Sequence, residues 1–166
     1  MISDLHYLLG YSVSKYADRP AVRERAADGG IVEYSYPQMQ EDIHALAENI
    51  IRSGNGGKKT VIIGDNCYHW IVCFWAVILG GGVAIPFDRE LSPEDISSQM
   101  LNCGAEAAFC SKQYLDKLIA SLSEARSRAS AQWAEMRGGS VLSKGVLHAV
   151  AQQNDYCEAD RACTAS

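Results

Sequence analysis

Four groups of residues have the side chains or backbone for chemistry: the loop Arg52-Ser53-Gly54-Asn55-Gly56-Gly57-Lys58-Lys59-Thr60, His69, the cysteines, and Asp88-Arg89-Glu90. Glycine amides beside a lysine can cradle phosphates. The phosphate-loop spacing that ends in Gly-Lys-Ser/Thr needs glycine at 52 and a hydroxyl at 59, and Arg52 and Lys59 stand there instead. The loop also runs from a helix into a strand, whereas phosphate loops run from strand to helix. It reads as a helix-ending turn, and Gly80-Gly81-Gly82 reads as a tight chain reversal in place of a dinucleotide fingerprint. His69 has no second histidine or paired carboxylate at metal-ligand spacing, so it reads as a packed histidine. Cysteines 67 and 73, then 103 and 110, are spaced C-x5-C and C-x6-C, which is not zinc spacing. Asp88, Arg89 and Glu90 follow a short apolar strand, at the carboxyl edge where α/β proteins place ligands. On composition alone they read as a solvated loop.

The elements that position these residues follow from periodicity. Ile2, Leu5, Leu8, Leu9, Val13 and Tyr16 make a helical stripe that ends before Asp18-Arg19-Pro20. Ala21 to Arg25 and Ile31 to Ser35 flank Asp28-Gly29-Gly30 as a hairpin. Ser35-Tyr36-Pro37-Gln38 supplies an N-cap hydroxyl and a first-turn proline ahead of Met39, Ile43, Leu46, Ala47 and Ile50. Thr60 to Gly64 is a β-branched run of the kind covered on both faces, and a buried helix is expected over Tyr68 to Leu79. Val83 to Pro86 is a second strand, Ser92-Pro93-Glu94-Asp95 caps a further helix, Ala105 to Cys110 is a third strand, and Lys112 to Leu122 a last helix. The order β-α-β-α-β-α predicts a parallel, three-layer α/β unit, preceded by a helix and a β-hairpin.

The 166 residues are 48% apolar and 21% charged, which excludes wholesale disorder. Fifteen Lys and Arg against 20 Asp and Glu give a formal charge of −5, with no positive field to recruit nucleic acid. The longest apolar run, Trp70 to Leu79, is about half of what a bilayer-spanning helix needs, and no basic segment precedes the first hydrophobic residues. A cytoplasmic chain without a transmembrane segment is expected, with its six cysteines, 157 and 163 included, as reduced thiols. From residue 123 to 166 the sequence turns Ser-, Arg- and Gln-rich, with a weak helix or coil over Val141 to Val150. This divides the chain into 1–122 and an atypical tail, 123–166.

Four segments in register resemble a known family: Asp18-Arg19-Pro20-Ala21-Val22, Tyr34-Ser35-Tyr36, Val61-Ile62-Ile63-Gly64-Asp65-Asn66, and Leu79 through Asp88. Over residues 5 to 120 the chain resembles the N-terminal region of the adenylate-forming superfamily, the AMP-forming acyl-CoA synthetases, with long-chain fatty acid–CoA ligase-like members the nearest. Gln38 and Met39 replace the Glu and Leu of that family's first core motif, and Gly80 replaces the lysine of its second. The resemblance implies part of the large N-terminal domain of an enzyme that uses ATP and magnesium to adenylate a carboxylate and coenzyme A to accept the acyl group. It assigns no catalytic, cofactor-binding or metal residue here, because no Thr-Gly-x-Pro-Lys-Gly loop occurs among the 166 residues.

The expectation is therefore a fragment that binds no cofactor alone and is inactive alone, with marginal stability, self-association or the missing remainder of the synthetase as its partner. The rival readings are a non-catalytic interaction or regulatory module and a small flavodoxin-like binding protein.

Overall fold

A computed structural model describes residues 4–26 and 28–123 of the chain. The fold is mixed α/β with a parallel sheet, in two compact units. The first holds the residues up to Gly57 together with Asn66–Gly82; the second holds Lys58–Asp65 and the described residues from Val83 onward.

In the first unit, α1 (Leu5–Tyr16) starts where the Asp4 carboxylate accepts the Tyr7 N–H at 2.8 Å. Strands β1 (Pro20–Arg25) and β2 (Ile31–Ser35) pair antiparallel, with an irregularity between Pro20 and Val22. Their turn closes through Ala26 N–H to the Gly30 carbonyl at 2.9 Å, with Gly29 at φ 85°, a conformation open to glycine at little steric cost. Helix α2 (Tyr36–Arg52) begins at the expected place, where the Ser35 hydroxyl accepts the Gln38 N–H. Its buried residues, Met39, Ile43, Leu46, Ala47 and Ile50, recur every three or four positions and make the stripe that meets α3 (Tyr68–Leu79). A Cβ at Gly80 would lie 3.2 Å from the Ala76 carbonyl, tighter than ordinary contact, so glycine suits the turn that ends α3.

In the second unit, β3 (Lys59–Ile63), β4 (Val83–Phe87) and β5 (Ala107–Cys110) form a parallel sheet in the order β4-β3-β5. The register sets Ile85, Val61 and Ala108 in one row and Phe87, Ile63 and Cys110 in the next. Against this face pack Ile96 and Met100 of α4 (Pro93–Cys103), and Leu118 and Leu122 from a helical stretch over 115–123. Thr60 and Ile62, which alternate with Val61 and Ile63, are buried as well, so β3 is covered on both faces as its β-branched run requires. Pro86 sits on β4, an edge strand of the sheet among the described residues, where a missing N–H costs no ladder bond.

Several boundaries differ from the sequence expectation. Helix α1 starts at Leu5, and residues 1–3 lie outside the described part. Strand β5 starts at Ala107 because Gly104 ends α4 at φ 66° and the Ala105 N–H turns back to the Met100 carbonyl at 3.0 Å. The last helix opens as a 3-10 turn, Lys112–Tyr114, closed by Tyr114 N–H to the Ser111 carbonyl. The tail reading, 123–166, lies outside the described residues apart from Ser123, which is helical. No described helix is long and apolar enough to cross a membrane.

Candidate functional site

The polar residues of the second unit gather at the carboxyl ends of its three strands. Asp65 follows β3, Asp88-Arg89-Glu90 follow β4, and Gln113 and Tyr114 follow β5. One carboxylate joins the three segments. Asp65 Oδ1 pairs with the Arg89 guanidinium and accepts the Tyr114 hydroxyl at 3.1 Å, while Asp65 Oδ2 accepts the Gln113 amide. Local turns place these groups: Asp88 Oδ1 accepts the Glu90 N–H at 2.9 Å, an Asx turn that presents Arg89, and Ser111 N–H donates to the Ile63 carbonyl at 3.0 Å. Lys117 Nζ donates to the Arg89 carbonyl at 2.6 Å. The carboxylate of Asp65 raises the Arg89 pKa above its ordinary value, and burial followed by the Asp65 hydrogen bond raises that of the Tyr114 phenol. The ion pair remains wet, with the Arg89 and Asp65 side chains 48% and 42% exposed.

A second polar centre lies in the first unit. Tyr68 is sealed in the core at 2% exposure, and its ring stacks on Tyr34 at 3.6 Å between centroids. Its hydroxyl donates to Asp42 Oδ2 at 2.5 Å, and its backbone N–H, at the start of α3, donates to the Glu24 carboxylate. Cys67 at the N-cap of α3 makes no side-chain cap bond, so a carboxylate from β1 does the capping from a distance in sequence. Burial first, and the Asp42 bond second, push the Tyr68 phenol far above its ordinary pKa and keep it neutral.

The other sequence candidates settle into structural roles. Gly54 and Gly57 take φ of 75° and 76°, and Ser53, Asn55 and Gly57 donate their N–H groups to the Asn49, Ile50 and Gly80 carbonyls. Gly80, Gly81 and Gly82 likewise donate to Ala76, Ile78 and Val77. Most of the amides of both glycine loops are thus used in closing turns. His69 packs edge-on to Tyr68 at 5.6 Å. Cys67, Cys73 and Cys103 are half-buried thiols and Cys110 is a buried one. No group of three potential metal ligands occurs among the described residues. Asp65 itself accepts from three donors. Of the sequence candidates only Arg89 and its neighbours reach a polar cluster. Asp65, Gln113, Tyr114 and the Tyr68 centre were missed, although Asp65 ends a β-branched run at the edge where ligands sit, which was a usable signal.

The family model for the AMP-binding enzyme matches residues 10–160. The chain belongs to the AMP-binding enzyme family. Among the relatives of this chain is the crotonobetaine/carnitine–CoA ligase of Citrobacter koseri, 22% identical over 100 residues that make up 60% of the chain and 19% of the ligase. The same enzyme from Salmonella typhimurium strain LT2 is 23% identical over the same shares. Among solved structures, the A domain of carboxylic acid reductase from Segniliparus rugosus, in complex with AMP and a co-purified carboxylic acid, superposes with a TM-score of 0.63. That match is at 18% identity and covers 78% of this chain and 27% of that one. A benzoate CoA ligase from Burkholderia xenovorans LB400 gives 0.61 at 17% identity, over 71% and 23%. The chain thus shares the fold of the matched part of these structures and spans about a fifth of the length of the curated relatives it matches.

Proposed function

We propose that the chain is a scaffold portion of an AMP-forming acyl-CoA synthetase, an enzyme that activates a carboxylate with ATP and passes the acyl group to the thiol of coenzyme A. The family match over residues 10–160 carries this reading, supported by relatives named as CoA ligases. The four resembling segments favour a fatty acid as the substrate class, and the cytoplasm is the proposed compartment. The residues that resemble the family's motifs do structural work: Tyr34 and Ser35 lead into α2, and Leu79 to Asp88 run from the end of α3 through β4. No step of the chemistry is assigned to the described residues, since the family's Thr-Gly-x-Pro-Lys-Gly loop does not occur among the 166 residues. What completes the enzyme is the remainder of the synthetase, which carries the family's phosphate loop.

Pyrophosphate release and thioester formation, followed with ATP, magnesium, coenzyme A and a set of carboxylic acids, test this reading. The 166-residue chain alone is expected to show neither, and the chain mixed with a polypeptide carrying the remaining family motifs to show both. Thioester formation by the chain alone would overturn the scaffold assignment.

A further inference from the structure

The Asp65 cluster has a property that its hydrogen bonds do not need individually: each donor comes from a different position around one acceptor. Arg89 arrives from the segment after β4, and Gln113 and Tyr114 arrive from the segment after β5. Lys117 closes the circuit by donating to the Arg89 backbone carbonyl, with its ammonium 6.0 Å from the Tyr114 ring centroid. Glu90 adds a weaker contact to Arg89 Nε at 3.3 Å. Side-chain networks with a shared centre are cooperative, because losing one member frees its neighbours to reorient.

We propose that Asp65 is a three-segment clasp: it couples the ends of β3, β4 and β5 so that the carboxyl edge of this sheet loosens and tightens as one unit. A displacement at residues 88–90 is felt at 112–117 through Asp65, and the reverse holds by linkage. The clasp stands on the geometry of the second unit alone and is independent of the ligase reading.

Amide hydrogen exchange on the 166-residue chain tests it without any activity. Asp65→Asn and Arg89→Gln are each expected to speed exchange about tenfold at 89–91 and at 113–117, while residues 61–63 of β3 stay protected. The double variant is expected to exchange no faster than the faster single one, the mark of a shared path. Additive effects, or an Arg89→Gln effect confined to 89–91, would overturn the clasp. Should Asp65→Asn also release 61–63, Tyr114→Phe decides: it deletes one donor and keeps the ring, and unchanged exchange at 89–91 would overturn the proposal as well.

Discussion

Tyr68 and Asp65 are three residues apart in sequence and solve the same problem, joining several elements through one side chain, in opposite media. In the first unit a neutral phenol, shut away from water, stacks on Tyr34 and donates to Asp42. In the second unit a carboxylate, 42% exposed, collects charged and neutral donors at the sheet edge. Burial makes the first arrangement a matter of packing, where every lost atom leaves a cavity. Solvent makes the second one of coupling, where screened charges contribute little to global stability. Large stability effects belong at Tyr68, and local, salt-sensitive effects belong at Asp65.

The sharpest way to break that comparison is to empty the first centre. Tyr68→Ala is expected to cost about 3–5 kcal/mol in urea unfolding, the range for a large buried aromatic. Tyr68→Phe keeps the ring and loses one hydrogen bond to an exposed carboxylate, for about 1 kcal/mol. The phenol also gives the pair a pH signature. Folded Tyr68 keeps its proton where the unfolded chain, with an ordinary tyrosine pKa of about 10, has lost it, so the unfolded state binds fewer protons and stability falls as pH rises beyond about 10. Thermal unfolding of wild type and Tyr68→Phe on both sides of that value should show a steeper alkaline loss in the wild type. Parallel curves would remove Tyr68 as the cause.

A smaller effect of opposite sign is expected within the second unit. Ser97 is fully buried in α4, and its hydroxyl has no hydrogen-bond partner among the described residues. Removing that unpaired group with Ser97→Ala is expected to stabilise the chain by about 1 kcal/mol, read as a higher denaturation midpoint at unchanged slope. A loss of stability would mean that the hydroxyl is satisfied after all. The smallest global effect is expected for Arg89→Ala. Its midpoint should lie slightly below wild type at low salt and converge with it at high salt, because the Asp65 pair is exposed and screened. A large, salt-independent loss would erase the contrast between the two centres.

Much of the fold was legible in the sequence where local chemistry acts alone. The Ser35 and Ser92 caps accept from Gln38 and Asp95, and α3 spans Tyr68–Leu79 as its apolar run indicates. The start of β5 and the 3-10 turn at Lys112–Tyr114 were not, since each depends on how the neighbouring helix ends or docks. The site was half legible. Arg89 could be placed at the carboxyl edge, but its link to Asp65, and through it to Gln113 and Tyr114, depends on which strands are neighbours. Glu24 as the cap of α3, 44 residues away, has no sequence signature at all.

By itself the sequence determined the helices, the apolar strands, the hairpin and the absence of a phosphate-loop motif among its 166 residues, because capping, periodicity and motif spacing act within a few residues. Only the tertiary structure decided the order β4-β3-β5, the meeting of the three segments on Asp65 and the sealing of Tyr68 among Tyr34, Asp42 and Glu24. Those contacts join residues 24 to 49 positions apart, and what brings them together is the burial of apolar faces, which is non-directional and leaves no short-range trace in the chain.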